Sequence, residues 1–210
     1  MKLYLSIIAC LCWCVTIFAQ ENDGIGNIDA QRPTLTESYS IILPNMLQFE
    51  NGLDFINNKA VYNTFLRGSV TDKIELRAST DYSNLSTVGA KFVVMNPEKT
   101  SLGIGTSFIY SRNLIDNTND FRLAMSKSFS NFFVTYNLGH AANFYTIFLV
   151  GTSITEKVNG FIEYYYDSFM NRVHSGITWI AHKDIQLDVN GGWIGTDVWY
   201  AGLGVSFRLR

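Results

Sequence analysis

His174 and Ser175 are the side chains of this sequence that most suggest catalysis, because a histidine base and a serine nucleophile also serve outer-membrane lipid hydrolases. In such an enzyme the two groups must share one face and lie within hydrogen-bond distance. The surrounding residues alternate between apolar and polar types, which predicts a β-strand, and adjacent strand residues point to opposite faces. The pair therefore cannot form a dyad, and we expect His174 in a polar network. Since no other same-face set is present, we predict that the protein is not an enzyme.

Glu163 and Asp167 lie on one face of a predicted strand and invite comparison with the carboxylate pair of glycosidases. Positions i and i+4 of a strand are about 13 Å apart, which is farther than either glycosidase mechanism requires. We expect the two carboxylates to pair with Arg122 or Arg172 instead. The histidines match no metal-ligand spacing, so we expect neither a metal site nor a cofactor.

The composition describes a folded chain of one domain. The 210 residues include 16 Lys and Arg against 18 Asp and Glu, aromatic residues make up 14%, and the mean hydropathy is +0.08. This balance excludes the disordered class and offers no basic patch for nucleic acid. A soluble all-β domain and a small membrane barrel both remain compatible with it.

The N-terminal region predicts export. Residues 1–19 carry one positive charge and an apolar run before a polar stretch, which indicates a signal peptide that is cleaved after Ala19. A membrane-anchoring helix or a lipoprotein acylated at Cys10 is less compatible with the length of the run. All three cysteines lie in this segment, so the mature chain carries no thiol. Residues 20–45 are polar and aperiodic, and we expect a periplasmic or lumenal segment there.

Residues 46–210 predict an all-β domain of about twelve strands, because alternation with period two recurs about every 10 to 15 residues. Strands of about 9 to 11 residues match the apolar band of an outer-membrane barrel. In this register the charged residues share the polar face, and aromatic residues such as Tyr82 and Trp199 lie near the ends of the apolar face, as in interfacial girdles. The apolar face is therefore expected to meet lipid. The predicted polar-face charges are Glu50, Asp54, Arg67, Glu75, Arg77, Asp81, Lys91, Arg122, Glu163, Asp167, Arg172, Asp188 and Arg208.

The links between strands are expected to alternate in length. Tight polar turns follow the even-numbered strands, as at residues 71–73 and 96–99, and a longer link at 111–120 follows an odd-numbered strand. Outer-membrane barrels combine short periplasmic turns with longer outer loops. The pattern predicts an up-and-down antiparallel transmembrane β-barrel with both termini in the periplasm.

Four short motifs resemble one family of outer-membrane barrels. They are RPTLTES at 32–38, LQFENG at 47–52, ITEK at 154–157 continuing to FIEYY at 161–165, and GLGVSFR at 202–208. In these stretches the chain resembles the outer-membrane β-barrel transporter family known as the MetA-pathway of phenol degradation family. The resemblance implies a role in the uptake or efflux of small hydrophobic or aromatic compounds, with lipid, the barrel-assembly machinery and a small-molecule solute as partners.

The candidate solute-binding residues lie on the predicted inner face. Phe133, Tyr145, Phe161 and Tyr165 occupy neighbouring strands and are expected to form one apolar wall, although they could equally fill a narrow interior. The balance of inner charges predicts no ion selectivity. We expect an outer-membrane channel for small solutes, and a structural barrel with a plugged lumen is the alternative. The charged candidates are Glu75, Arg77, Arg122, Glu163, Arg172 and Asp188.

Overall fold

The chain folds as a closed barrel of twelve antiparallel strands, as the sequence predicts. The computed structural model describes residues 26–57, 59–80 and 85–210. The described residues contain no helix that is long and apolar enough to cross a membrane. The strands are β1 (Leu47–Ile56), β2 (Lys59–Ser69), β3 (Ile74–Thr80), β4 (Leu85–Met95), β5 (Gly105–Asn113), β6 (Thr118–Ser128), β7 (Phe132–His140), β8 (Phe144–Ser153), β9 (Val158–Asp167), β10 (Asn171–His182), β11 (Ile185–Ile194) and β12 (Val198–Leu209).

Each strand pairs with the next one in sequence, and β1 pairs with β12 to close the barrel. The closing register runs from Leu47 opposite Leu209 to Ile56 opposite Tyr200. Closure removes both sheet edges and satisfies the backbone groups that lipid could not hydrogen-bond. We call the end where β1 begins and β12 ends the terminal end, and the opposite one the far end.

The two faces of the barrel differ sharply in polarity. The inner face buries charged side chains that are fully inaccessible, among them Arg67, Glu75 and Lys91. The outer face exposes large apolar side chains along every strand, for example Phe148, Val189 and Leu203. A water-soluble fold would bury the apolar face instead. The distribution is that of a barrel whose outer surface contacts lipid.

Aromatic side chains mark the far end of the outer face. The rings of Trp193 and Trp199 lie 4.0 Å apart at the tip of the β11–β12 hairpin, and Phe55 and Tyr62 are exposed on the first hairpin. Such rings suit the level of the lipid headgroups. The predicted Tyr82 and Asp81 and the predicted signal peptide at 1–19 lie outside the described residues.

The links between strands differ from the expected alternation. The link between β5 and β6 spans only residues 114–117, because the strands extend farther than the alternation suggested. The longest link is residues 96–104 at the terminal end, where the turn continues through a short 3-10 helix, Pro97–Lys99. Among the described residues, the far-end links at 114–117, 141–143, 168–170 and 195–197 are short and form no large covering loop.

Substitution of Leu203 by Arg tests the lipid-facing surface, because Leu203 lies midway along β12 and is 51% exposed on the outer face. A charge at the bilayer midplane should lower the folding free energy by about 2–4 kcal/mol. The matched control is Leu209→Arg on the same face near the terminal end, where the cost should be about 0–1 kcal/mol. Urea titration in lipid vesicles measures both, and equal costs would contradict a membrane-embedded outer face.

Candidate functional site

Residues 26–45 form a loop inside the barrel, which we call the inner loop. It enters at the terminal end, where the Gly26 carbonyl accepts from Arg208 and the Ile28 amide donates to the Lys183 carbonyl. Its apex, residues 32–35, reaches the middle of the lumen, and the Arg32–Pro33 peptide bond there is cis. The chain then returns to the terminal end, where the Asn45 amide donates to the Ser69 carbonyl. The inner loop therefore occupies the terminal half of the lumen.

A chain of buried ion pairs attaches the inner loop to the wall formed by the first four strands. Glu50 pairs with Arg67 at 3.1 Å, Arg67 with Glu75 at 2.9 Å, and Glu75 with Arg77 at 2.7 Å. Glu37 of the loop continues this chain. Its carboxylate lies 2.8 Å from Arg77 and 3.3 Å from the Lys91 ammonium. The strands supply three cations but only two carboxylates, so Glu37 makes the network neutral.

The charges around Glu37 keep it ionised. Burial alone would raise the pKa of its carboxyl, but Arg77, Lys91 and Arg122 outweigh that effect and hold the pKa below its usual range. A carboxyl with a lowered pKa stabilises the docked loop at every pH above its ordinary pKa, and that contribution is lost only as the pH falls through the lowered value. Glu37 is therefore ionised at neutral pH.

Arg32 anchors the apex of the inner loop. Its guanidinium lies 3.4 Å from Asp54 and 3.6 Å from Asp188, and its backbone amide donates to Glu50 at 2.7 Å. A side chain at Gly52 or Gly204 would collide with this guanidinium. The two glycines thus make the room in which an arginine from the loop lies flat against the barrel wall.

Glu163 receives the inner loop on the opposite wall. Its carboxylate accepts the backbone amides of Leu35 at 3.1 Å and Thr36 at 2.6 Å, together with the Thr36 hydroxyl. The ring of His174 lies 3.1 Å from the same carboxylate and 3.2 Å from Asn190. His174 thus lies in the polar network that the sequence predicts.

The predicted partners of two carboxylates are wrong. Glu163 does not pair with Arg122 or Arg172, since its oxygens bind the inner loop and His174. Asp167 accepts from the Tyr165 hydroxyl at 2.7 Å and caps the next turn. Strand alternation places these groups on one face but does not reveal that backbone amides of another segment compete for them.

The four aromatic candidates face inward but form two groups rather than one wall. The inward-facing Glu163 lies between Phe161 and Tyr165 along β9, and the level of the lumen that contains it separates the two groups. Tyr145 and Tyr165 stack at 5.7 Å between centroids on the far side. Phe133 and Phe161 lie on the terminal side and line a cavity of about 210 Å³ between the inner loop and the wall, with Leu149 and Ile180. The pair on the terminal side, Phe133 and Phe161, is the more apolar one, because the hydroxyls of Tyr145 and Tyr165 donate to carboxylates.

A vestibule of about 370 Å³ lies between the apex of the inner loop and the far end. Phe65 lines it, as do two of the predicted site residues, Arg122 and Arg172. Arg122 donates to the Leu35 carbonyl, to Asp120 and to the Tyr145 hydroxyl. Solutes that approach from the far end would therefore meet the inner loop as the floor of this space.

The remaining charged candidates hold the inner loop in place. Glu75 accepts the Ile42 amide at 2.9 Å, Arg77 binds Glu37, and Asp188 faces Arg32. The structure thus brings five of the six charged candidates into contact with residues 26–45, the exception being Arg172, which contacts Tyr200. Their role with a solute stays a prediction.

Sequence reasoning missed the residues that the inner loop contributes, chiefly Arg32, Thr36 and Glu37. No local pattern signalled them, because residues 20–45 are aperiodic and the predicted inner-face charges of the first four strands, three basic and four acidic, called for no further carboxylate. The period-two pattern also concealed inward apolar residues that replace polar ones, such as Ile109 and Ile147, which are almost completely buried.

Comparison with known proteins supports the fold. No protein-family profile matches the chain, and no curated protein matches it. The KdgM porin matches with a TM-score of 0.63 at 10% identity, over 78% of this chain and 99% of that one. The outer membrane protein Omp33 of Acinetobacter baumannii matches with a TM-score of 0.54 at 8% identity, over 78% and 98%. An outer membrane channel from Pseudomonas putida F1 gives 0.54 at 8% identity, over 87% and 100%.

At these identities the comparisons show a shared fold. The chain has the architecture of outer-membrane β-barrels, and the matched proteins carry the names of porins and channels rather than of enzymes. This architecture supports an outer-membrane location. Membership in the phenol-degradation family stays a prediction.

Substitution of Glu37 by Gln should loosen the inner loop, because it leaves Arg77 and the buried Lys91 short of a carboxylate. Removal of one partner from a buried ion pair costs about 3–5 kcal/mol, and we expect a loss of docking free energy at the lower end of this range. Hydrogen exchange of residues 26–45 in detergent micelles measures it. Glu156→Gln in the exposed β8–β9 turn is the control. Unchanged protection of the loop in E37Q would show that the ion pairs do not hold it.

Proposed function

We propose that the protein is an outer-membrane channel for small solutes and that the inner loop closes it in this conformation. The observation that carries the proposal is the manner in which the loop is attached. Its backbone and charged side chains bind polar groups on the wall, as at Glu163, Asn137 and Glu75, and water can replace such contacts when the loop moves. The names of the matched porins and channels support the same role.

The path through the barrel consists of two spaces that the apex of the inner loop separates. The vestibule opens toward the far end, and the cavity beside Phe133 and Phe161 lies on the terminal side. Between them the Glu163 carboxylate is bonded to Leu35 and Thr36. Movement of the apex away from Glu163 would join the two spaces.

The solutes that suit the terminal-side cavity are small hydrophobic or aromatic molecules. Apolar surface comes from Phe133, Phe161, Leu149 and Ile180, and polar side chains of the wall and of the inner loop, Gln186 and Thr36 among them, complete the lining. Pockets of this kind bind through apolar contact and take orientation from a few polar groups. The predicted aromatic residues thus keep a proposed role, restricted to the pair that lines this cavity.

A closed structural barrel is the second candidate, and the extent of loop contact favours it. The inner loop binds inner-face residues on both walls, for example Glu75, Ser126 and Glu163. A loop that never leaves would block transport permanently. Conductance measurements separate the two candidates.

A disulfide between the two positions in the double variant Ile28→Cys, Lys183→Cys should hold the channel closed. The Ile28 amide donates to the Lys183 carbonyl at 2.7 Å, so the two backbones lie side by side, as a disulfide needs. Residues 20–210 contain no cysteine, so this pair would be alone in the mature chain. In planar bilayers we expect stepwise conductance from the reduced variant and at least a tenfold lower open probability after oxidation.

The reduced and oxidised forms of one preparation are their own control. Silence in both forms, and in Glu37→Gln as well, would favour the structural barrel. Equal conductance in both forms would show a channel that the inner loop does not close.

Replacement of Phe161 by Ala should weaken the binding of small aromatic solutes in the terminal-side cavity. The loss of one aromatic contact is expected to cost about 0.5–1.5 kcal/mol. Fluorescence titration of a neutral aromatic dye into the micelle-bound protein measures the change. The matched control is Phe55→Ala, because Phe55 is exposed on the outer face. Equal losses in the two variants would mean that the dye binds the outer surface or the micelle.

A further inference from the structure

Arg172 is the one inner-face guanidinium of the described residues that has no carboxylate within ion-pair distance. Its Nε donates to the Tyr200 hydroxyl at 2.7 Å, and its Cζ lies 4.0 Å from the centroid of the same ring. These contacts fix the arginine against the wall and leave its two terminal nitrogens without a protein acceptor among the described residues. By contrast, Arg122 on the same vestibule donates to three groups.

The acidic side chains that line the vestibule all pair with other cations. Glu37 pairs with Arg77 and Lys91, Glu50 pairs with Arg67, and Asp54 pairs with Arg32. None of them is available to Arg172. The Arg172 guanidinium therefore has no carboxylate partner and lies in a partly buried position, where water screens it less than at a free surface.

The surroundings of Arg172 combine this charge with aromatic surface. Tyr200 holds the guanidinium, and Phe65 lines the same vestibule from β2. A guanidinium fork matches the two oxygens of a carboxylate, and an aromatic wall favours an apolar body attached to it.

We propose that the vestibule binds small organic carboxylates, with Arg172 as the group that receives the carboxylate. The inference refines the proposed channel function, because it names the class of solute that the far-end mouth selects. It also predicts a preference for anions, which the expectation of no ion selectivity did not include. The inner charges nearly balance in number, but Arg172 is left without a carboxylate where a solute first arrives.

Benzoate is the probe for this site, and benzamide is its neutral analogue of the same shape. Ligand-observed NMR titration of the mature chain in detergent micelles measures binding, with empty micelles as the blank. We expect benzoate to bind at least tenfold more tightly than benzamide. A charge-assisted hydrogen bond accounts for about tenfold to hundredfold in affinity.

Two variants assign the effect to Arg172. Arg172→Gln removes the charge, and Asn190→Asp places a competing carboxylate on the wall of the same vestibule. Each should weaken benzoate binding at least tenfold and leave benzamide unchanged. Arg112→Gln is the matched control, since Arg112 lies near the end of β5 and does not line the vestibule.

Equal affinities for benzoate and benzamide would overturn the proposal, and so would benzoate binding that survives both variants. A heat-modifiability gel checks that each variant forms the barrel, and Asn190→Asp decides the matter if Arg172→Gln does not fold. Selective benzoate binding without conductance would refute the channel function and support the carboxylate site. Conductance without selective benzoate binding would support the channel function and refute the carboxylate site.

Discussion

The alternating ion-pair network around Arg67, Glu75, Arg77 and Glu37 is the constraint on which the interior depends. Its strand members are almost completely inaccessible to solvent and Glu37 is mostly buried, so each charge needs an opposite one nearby. Within this network the strands supply three cations and two carboxylates. Glu37, from a segment outside the sheet, is therefore part of the electrostatics of the barrel itself, and the position of the inner loop follows from that requirement.

The same physics explains why the interior is filled with charge. Lipid on the outside excludes polar groups from the outer face, so the polar half of every alternating strand must point inward. A lumen of twelve strands brings these groups close together, and they satisfy one another or the backbone of the inner loop. Glu163 shows the second solution, since it accepts the amides of Leu35 and Thr36.

The two spaces on either side of the inner loop differ in chemistry. The cavity beside Phe133 and Phe161 combines apolar side chains with hydroxyl and amide groups, whereas the vestibule beyond the apex carries arginines and carboxylates. A solute with a charged head and an apolar body would find a complementary surface in each. The division arises because the layer containing Glu163 and His174 crosses the lumen between them.

The sequence by itself determined the barrel, its number of strands and the face that each residue occupies. Period two is a local property that survives in any sheet, so Glu75, Arg77 and Phe161 could be assigned to the inner face without a structure. Only the tertiary structure decided where residues 26–45 lie and which charges they meet. Glu37 reaches partners 40 and 54 positions away in sequence, and its own segment has no periodicity that points to them. Contacts across the lumen depend on closure of the barrel. Closure brings together strands that are far apart in sequence, and no local sequence pattern indicates which of them will meet.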